Sequence, residues 1–267
     1  MDILGLPHIF WAGLFFILGA CIGSFLNVCI FRWPQEELSI VKPRSFCPSC
    51  KEMIRWYDNI PMLSFVFLRG RCRRCGWRIS LHYPLVELAY GVILTAFFLR
   101  FGLSVPFVFS SVFVALLLIA TITDFQTRII PDEVNFYGIF FAMLMSFVFP
   151  ILQHEPGHKL ALADSTLGVL LGGGLLYVIA IVGDAMFKRE SMGGGDIKLL
   201  AMIGAFLGYR FVFPTMFFAS LGGSFIGIIL KLVRKDDTIA FGPYLALGAV
   251  VSLMWGDWLL QKFFPFL

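Results

Sequence analysis

Two aspartates and four cysteines carry most of the chemistry this sequence could perform. Asp124 stands in TDFQTRIIPD, and Asp196 directly follows three glycines in SMGGGDIKLLAMIGAFLG, where an apolar run begins. A charged group in or near hydrocarbon is costly, so its presence there demands a reason. Two carboxylates sharing one site cannot both ionise easily. One would keep its proton and polarise a carbonyl while the ionised partner activated water as general base, the logic of aspartic proteolysis. Gly193 and Gly195 would complement such a pair by removing side chains that block an extended substrate backbone and by permitting unusual dihedrals. Taken singly, Asp124 and Asp132 also read as interfacial acids or helix caps, the glycines as helix-packing residues, and the acids as steps of a proton or ion pathway.

The cysteines form two knuckles, CPSC at Cys47 and Cys50 and CRRC at Cys72 and Cys75. Paired CxxC turns bring four thiolates to one tetrahedral metal, and the gap between them slightly exceeds the usual zinc-ribbon spacing of about 15 to 20 residues. Arg71, Arg73, Arg74 and Arg78 around the second knuckle would offset the negative charge of a zinc tetrathiolate. Structural disulfides are the competing reading, which a reducing compartment disfavours. Zinc here would fold a segment too small to fold well alone.

The elements that must position these groups are membrane spans. Of the 267 residues, 59% are hydrophobic and only 14% charged, against about 25% charged in an ordinary globular chain. The chain reads as an integral membrane protein, in which the net charge of +4 reports orientation rather than a nucleic-acid partner. The segment before the first apolar run lacks the positive n-region of a secretory signal peptide, so that run is expected to stay as a span. Uncharged stretches predict spans at 9–31, 84–99, 101–123, 134–153, 165–183, 193–209, 211–230 and 238–256. The sixth crosses only if it includes Asp196 and Lys198.

Basic residues favour cytoplasmic segments. With the N-terminus outside, all 21 Lys and Arg fall on inner segments except Arg100, Lys159, Arg210 and Lys262. Dropping the sixth span would put the cluster Lys231, Arg234 and Lys235 outside, so the charge pattern favours keeping it. In this topology Asp124 ends an inward-running span and Asp196 begins an outward-running one, which brings both carboxylates to one membrane depth at the cytoplasmic face. The expected architecture is an α-helical polytopic membrane protein of about eight spans. Residues 1–31 form the first span, 32–83 a small cytosolic zinc domain, and 84–267 a seven-helix membrane domain, with both termini periplasmic.

The ordered motifs GSFLNVCIFRWP, CPSC with CRRCGWRIS, RWYDNIPMLSF, HYPLVELA, TDFQTRIIPD, GGGDIKLLAMIGAFLG and FGPYLALGA resemble the bacterial type IV prepilin peptidases, also called leader peptidase/N-methyltransferases. That resemblance implies a GxGD intramembrane aspartic protease of the bacterial inner membrane, with Asp124 and Asp196 catalytic and Asp132 supporting the loop or helix start. It implies cleavage of the leader of type IV prepilins or type II secretion pseudopilins, then N-methylation of the new N-terminus with S-adenosylmethionine. The methyl-transfer half rests on resemblance alone, since no GxGxG follows a strand. Gly23, Asn27 and Glu87 are the candidates for the cofactor site; their plain alternatives are helix packing, an interhelical hydrogen bond and a partner for a loop arginine. Lys198 would pair with Asp196 or with lipid phosphate. An ion-coupled transporter using the aspartates and a zinc-dependent adaptor are the readings from other classes.

Overall fold

The computed structural model describes residues 8–35, 39–188, 192–234 and 240–263. Arg189 and Lys235 of the charge pattern, and Thr238 and Ile239 at the start of the last predicted span, lie outside them. The described residues form helices α1 (His8–Arg32), α2 (Leu63–Phe67), α3 (His82–Phe101), α4 (Val105–Thr127), α5 (Asp132–Val148), α6 (His158–Phe187), α7 (Gly194–Leu207), α8 (Val212–Arg234) and α9 (Gly242–Phe263). Their only β pairing is two isolated bridges. Helices suit this composition because, in hydrocarbon, every backbone polar group must be satisfied within its own segment.

A helix stands at each of the eight predicted positions. Six of them, α1, α3, α4, α6, α8 and α9, are long and apolar enough to cross a membrane. The other two are shorter, with 17 residues in α5 and 14 in α7. At 1.5 Å per residue α7 reaches about 21 Å, short of the roughly 30 Å hydrocarbon core. Helix α9 also ends later than predicted. Counting uncharged residues stopped it at Gly256, whereas the helix continues through Asp257 to Phe263, with non-helical backbone at Trp255 (φ −131°, ψ 15°).

The contacts divide the chain into two compact units, Met1–Ser111 and Val112–Leu267. In the first, α1 and α3 pack antiparallel along a small-residue seam. A Cβ added at Gly19 would lie 2.8 Å from the Cα of Gly91, and one added at Gly23 would lie 2.8 Å from the Cα of Glu87. Spacing of the type small-xxx-small permits this approach. Phe15 stacks on Phe98 with centroids 4.1 Å apart, and the buried Tyr90 hydroxyl donates to the Ser111 carbonyl at 2.9 Å.

In the second unit α7 is enclosed by α5, α6, α8 and α9, and every residue from Leu199 to Phe206 is buried. Its tightest contact is with α6, where a Cβ at Gly168 or at Gly204 would fall on the other residue's backbone. The Ser165 hydroxyl donates across the same seam to the Ala205 carbonyl at 2.8 Å. Gly208 then ends α7 at φ +85°, a conformation that favours glycine. Phe206 stacks on Phe113 of α4 at 4.5 Å. Because the α6–α7 seam has no room for one methyl, Gly204→Ala should destabilise the protein by about 1–3 kcal/mol. Gly13→Ala, where nothing lies within 4 Å, should not; thermal unfolding in detergent measures both.

Candidate functional site

Asp124 lies one turn before the end of α4 and is buried, at 6% exposure. Its Oδ2 accepts a hydrogen bond from the Gly242 N–H at 2.9 Å, at the start of α9. The chain then turns through Arg128, which adopts a positive φ of 59° while its N–H caps the Asp124 carbonyl at 2.9 Å. Ile130 and Pro131 follow, both buried, and α5 begins at Asp132.

Asp196 sits in the first turn of α7, where the helix dipole favours a carboxylate. Its Oδ1 is buried and has no hydrogen-bond partner among the described residues. The two carboxyls lie within electrostatic reach of each other. Ile130 fills the space between their supports: its side chain meets the bare face of Gly195, where a Cβ would be 3.1 Å away, and that of Gly242, where a Cβ would be 3.2 Å away. A Cβ at Gly242 would also come within 2.8 Å of Asp124 Oδ2.

The glycines before Asp196 differ from one another. Gly193 is the exposed N-cap residue of α7, and a Cβ there would have only Asp196 Oδ2 within 4 Å, at 3.6 Å; one at Gly194 would face open space. None of Gly193, Gly194 and Gly195 takes a positive φ. The expectation of unusual dihedrals is therefore corrected: glycine removes bulk here, and the backbone is ordinary, with Gly193 at φ −72°, ψ 141°.

Lys198 pairs with Asp132 rather than with Asp196. Its ammonium donates to both carboxylate oxygens of Asp132 at 2.7 Å and lies 5.8 Å from the Phe136 ring, tying the first turn of α7 to the first turn of α5. Lys198 is one helical turn from the N-terminus of α7, and its side chain is partly exposed. Gly242 was not singled out from the sequence as a site residue. The available signal was Gly-Pro at the opening of an apolar run, a helix-start signature inside FGPYLALGA.

In the first unit the two knuckles are built alike. Cys47 N–H donates to the Glu52 carbonyl at 2.9 Å and Cys72 N–H to that of Trp77 at 2.8 Å; the residues following each CxxC, Lys51 and Gly76, take positive φ of 58° and 72°. The four Sγ atoms lie within 4.8 Å of one another and could hold one metal ion. Cys47 and Cys75 are 3.9 Å apart, near the roughly 3.8 Å that two thiolates span on a tetrahedral zinc and far from a disulfide bond. All six cysteines are unpaired. A hydrogen bond from the Trp77 N–H, with help from the neighbouring thiols, lowers the Cys75 thiol to about 7; despite the Glu52 N–H, the same crowding pushes Cys50 up to about 11.

The arginines beside the second knuckle are partly committed to carboxylates. Arg73 holds Asp58 bidentately, at 2.6 and 2.9 Å, and Arg74 pairs with Glu52 at 3.1 Å. The Arg74 pair joins the second knuckle to the end of the first, and the Arg73 pair joins it to the helical turn Trp56–Asn59. Of the cofactor candidates, Asn27 donates from Nδ2 to the Tyr83 carbonyl at 3.0 Å, the interhelical bond expected of it. Among the described residues Glu87 makes no ion pair with a loop arginine. Its Oε2 accepts the Met62 N–H at 2.7 Å. Asn27 and Glu87 line one cavity; Gly23 does not, but its bare face sets how closely α1 and α3 approach beside it.

Residues 17–101 match the bacterial peptidase A24 N-terminal domain, and residues 111–228 match the type IV leader peptidase family. Prepilin leader peptidase/N-methyltransferases align over most of the chain. That of Aeromonas hydrophila is 33% identical over 297 residues, covering 97% of each chain, and that of Bacillus subtilis is 34% identical over 247 residues, covering 91% of this chain and 93% of the relative. The protein belongs to the type IV leader peptidase family. The relative from Myxococcus xanthus is 40% identical over 217 residues, 81% of this chain but only 62% of that longer protein. No solved structure matches. Membership of the leader peptidase family gives no support to an ion-relay transporter. It leaves the metal centre open to direct measurement: the purified protein should carry about one bound metal ion per chain, and Cys72→Ser should lose it, as read by elemental mass spectrometry.

Proposed function

We propose that this protein cleaves the leader peptide of type IV prepilins or type II secretion pseudopilins and N-methylates the new N-terminal residue. The observation that carries the reading is the convergence of Asp124 and Asp196, brought by the end of α4 and the start of α7 to one glycine-edged junction. Membership of a leader peptidase family supports the same chemistry.

In this reading one carboxylate of the pair, ionised, takes a proton from water as it attacks the scissile carbonyl, and the protonated partner donates to the carbonyl oxygen. Collapse of the tetrahedral intermediate returns a proton to the leaving amine. The Gly242 N–H holds Asp124 Oδ2 in place, and the unpartnered Oδ1 of Asp196 offers a buried position for the water or the substrate oxygen. Gly193 supplies clearance for an extended backbone on the open side of Asp196, whereas the bare face of Gly195 makes room for Ile130.

The site would face the cytoplasm across the inner membrane, with the cysteine segment of 32–83 cytosolic, both termini periplasmic and the membrane domain of 84–267 carrying the peptidase. Zinc is the metal that suits four closely set thiolates and no other donor, and it would act structurally, by fixing two knuckles that have little core of their own. S-adenosylmethionine is the methyl donor that the relatives' N-methyltransferase activity implies.

Incubating the detergent-purified protein with a prepilin and S-adenosylmethionine should yield a product lacking the leader and heavier at its new N-terminus by one methyl group. Asp124→Asn and Asp196→Asn should each cut cleavage by about 10²–10⁴-fold; cleavage at the wild-type rate by either variant would sink the aspartic mechanism. Gly242→Ala should lower kcat by up to about 10²-fold with little change in KM, because the added methyl displaces the Asp124 carboxyl rather than the substrate.

A further inference from the structure

At the end of α7 opposite Asp196, the second unit holds a buried polar cluster that the peptidase mechanism does not use. Gln153, the last residue of the short helical turn Pro150–Gln153, is only 6% exposed, and Asp164 in the second turn of α6 is 9% exposed. The Gln153 Nε2 donates to the Ser146 hydroxyl at 2.8 Å and to the Ala205 and Phe206 carbonyls of α7 at 3.2 and 3.4 Å. These bonds fix the amide, because turned over its oxygen would face two carbonyls that can only accept. Oε1 is left as a buried acceptor with no partner among the described residues.

The neighbour of that oxygen is Asp164. Both approach the bare face of Gly208, where a Cβ would lie 2.2 Å from Asp164 Oδ2 and 2.9 Å from Gln153 Oε1. An amide oxygen and an ionised carboxylate only accept, so side by side and out of water they repel and leave each other unsatisfied. A proton on Asp164 reverses the relation, because the acid then donates to Oε1. The charged groups acting on Asp164 are Glu155 and His154 from the segment between α5 and α6, and Arg210 from the segment between α7 and α8. Among the described residues none of them forms an ion pair with it. Arg210 donates from Nε to the Tyr209 hydroxyl at 3.3 Å; on α6 itself His158 meets the Phe147 carbonyl at 2.6 Å and Lys159 is exposed.

We propose that Asp164 and Gln153 form a proton site that clasps the C-terminal end of α7 and thereby positions Asp196 at its other end. The proton is held on Asp164 and shared with Gln153 Oε1, while Gln153 Nε2 and the Ser165 hydroxyl hold the last carbonyls of α7. Because α7 is one helix of 14 residues, a shift at Gly208 is carried along it to Asp196. Asp164 and Gln153 are thus positioning residues. In the topology proposed above this end lies at the outer face, so the proton comes from the side of the membrane opposite the catalytic pair. The link to Asp196 rests on the peptidase reading; the proton site itself does not.

The site is tested by thermal unfolding of the full-length protein in detergent from about pH 5 to about pH 8, in potassium and in sodium buffers. A proton bound only in the folded state makes stability fall as pH rises. Asp164→Asn replaces the acid by an amide that donates to Oε1 at every pH. Over this range the wild-type midpoint should fall by about 2–4 °C more than that of Asp164→Asn, the scale of one buried hydrogen bond in a chain of this size. His154→Gln should keep the wild-type dependence. Infrared difference spectra of the wild type near neutral pH should show a protonated-carboxyl stretch that Asp164→Asn lacks. Parallel curves for the wild type and Asp164→Asn, a flat curve for His154→Gln, no difference in the infrared band, or a wild-type midpoint raised by sodium instead of protons overturns the proton site.

For the link to Asp196, Asp164→Ala and Gln153→Met should each lower kcat for prepilin cleavage by about tenfold with little change in KM, and Asp164→Asn should recover it to within about threefold. Wild-type kcat in both disrupted variants overturns the coupling. Absence of cleavage by the wild type overturns the peptidase reading, and the unfolding and infrared measurements then decide the proton site alone.

Discussion

Where α7 meets α6, backbone lies against backbone: Gly168, Gly172 and Gly204 leave no space for a Cβ between the two helices. This contact lets a helix of 14 residues occupy the middle of the second unit although it is shorter than a bilayer core. A short helix exposed to lipid would present unsatisfied termini to hydrocarbon. Enclosed by α5, α6, α8 and α9, α7 has protein at both ends, and its N-terminus can carry Asp196 where α4 ends.

The same junction explains the different treatment of three acids. Asp124 is buried and held by one backbone N–H from the start of α9. Asp196 keeps one oxygen buried and unpartnered. Asp132, only eight positions after Asp124 in the sequence, is half-exposed and bound by Lys198, an ion pair of the kind that contributes roughly 0–1 kcal/mol. Charge interactions strengthen as water is excluded, and among the described residues neither Asp124 nor Asp196 makes an ion pair of the kind that holds Asp132. Lys198 stabilises the α5–α7 corner without neutralising either of them.

The first unit meets a different difficulty. Among the described residues its cysteine segment has no strand and only two short helical turns, Trp56–Asn59 and α2, between α1 and α3, and few buried apolar side chains to hold it together. Two knuckles of like geometry, the cross-links from Arg73 to Asp58 and from Arg74 to Glu52, and four cysteines that could hold one metal ion take the place of a core. Beneath them the glycine seam of α1 and α3 puts Asn27 and Glu87 on one cavity. The buried polar groups of this unit are thus concentrated where a small polar ligand has room to enter.

The sequence alone was enough for the all-helical membrane class, the position of eight helices and the tetracysteine cluster. These follow from local composition and from spacing, which constrain the chain wherever apolar length or ligand geometry decides the outcome. It did not reveal that α7 has only 14 helical residues and is enclosed by protein, because an apolar run reads the same whether lipid or protein surrounds it. Nor did it assign partners: Lys198 to Asp132, Glu87 to the Met62 N–H, and above all Gly242 to Asp124, 118 residues away in sequence. Those pairings depend on how closely helices approach and which faces meet. The approach is set by where a Cβ is missing on both sides of a contact, a property of two surfaces together that neither stretch of sequence carries by itself.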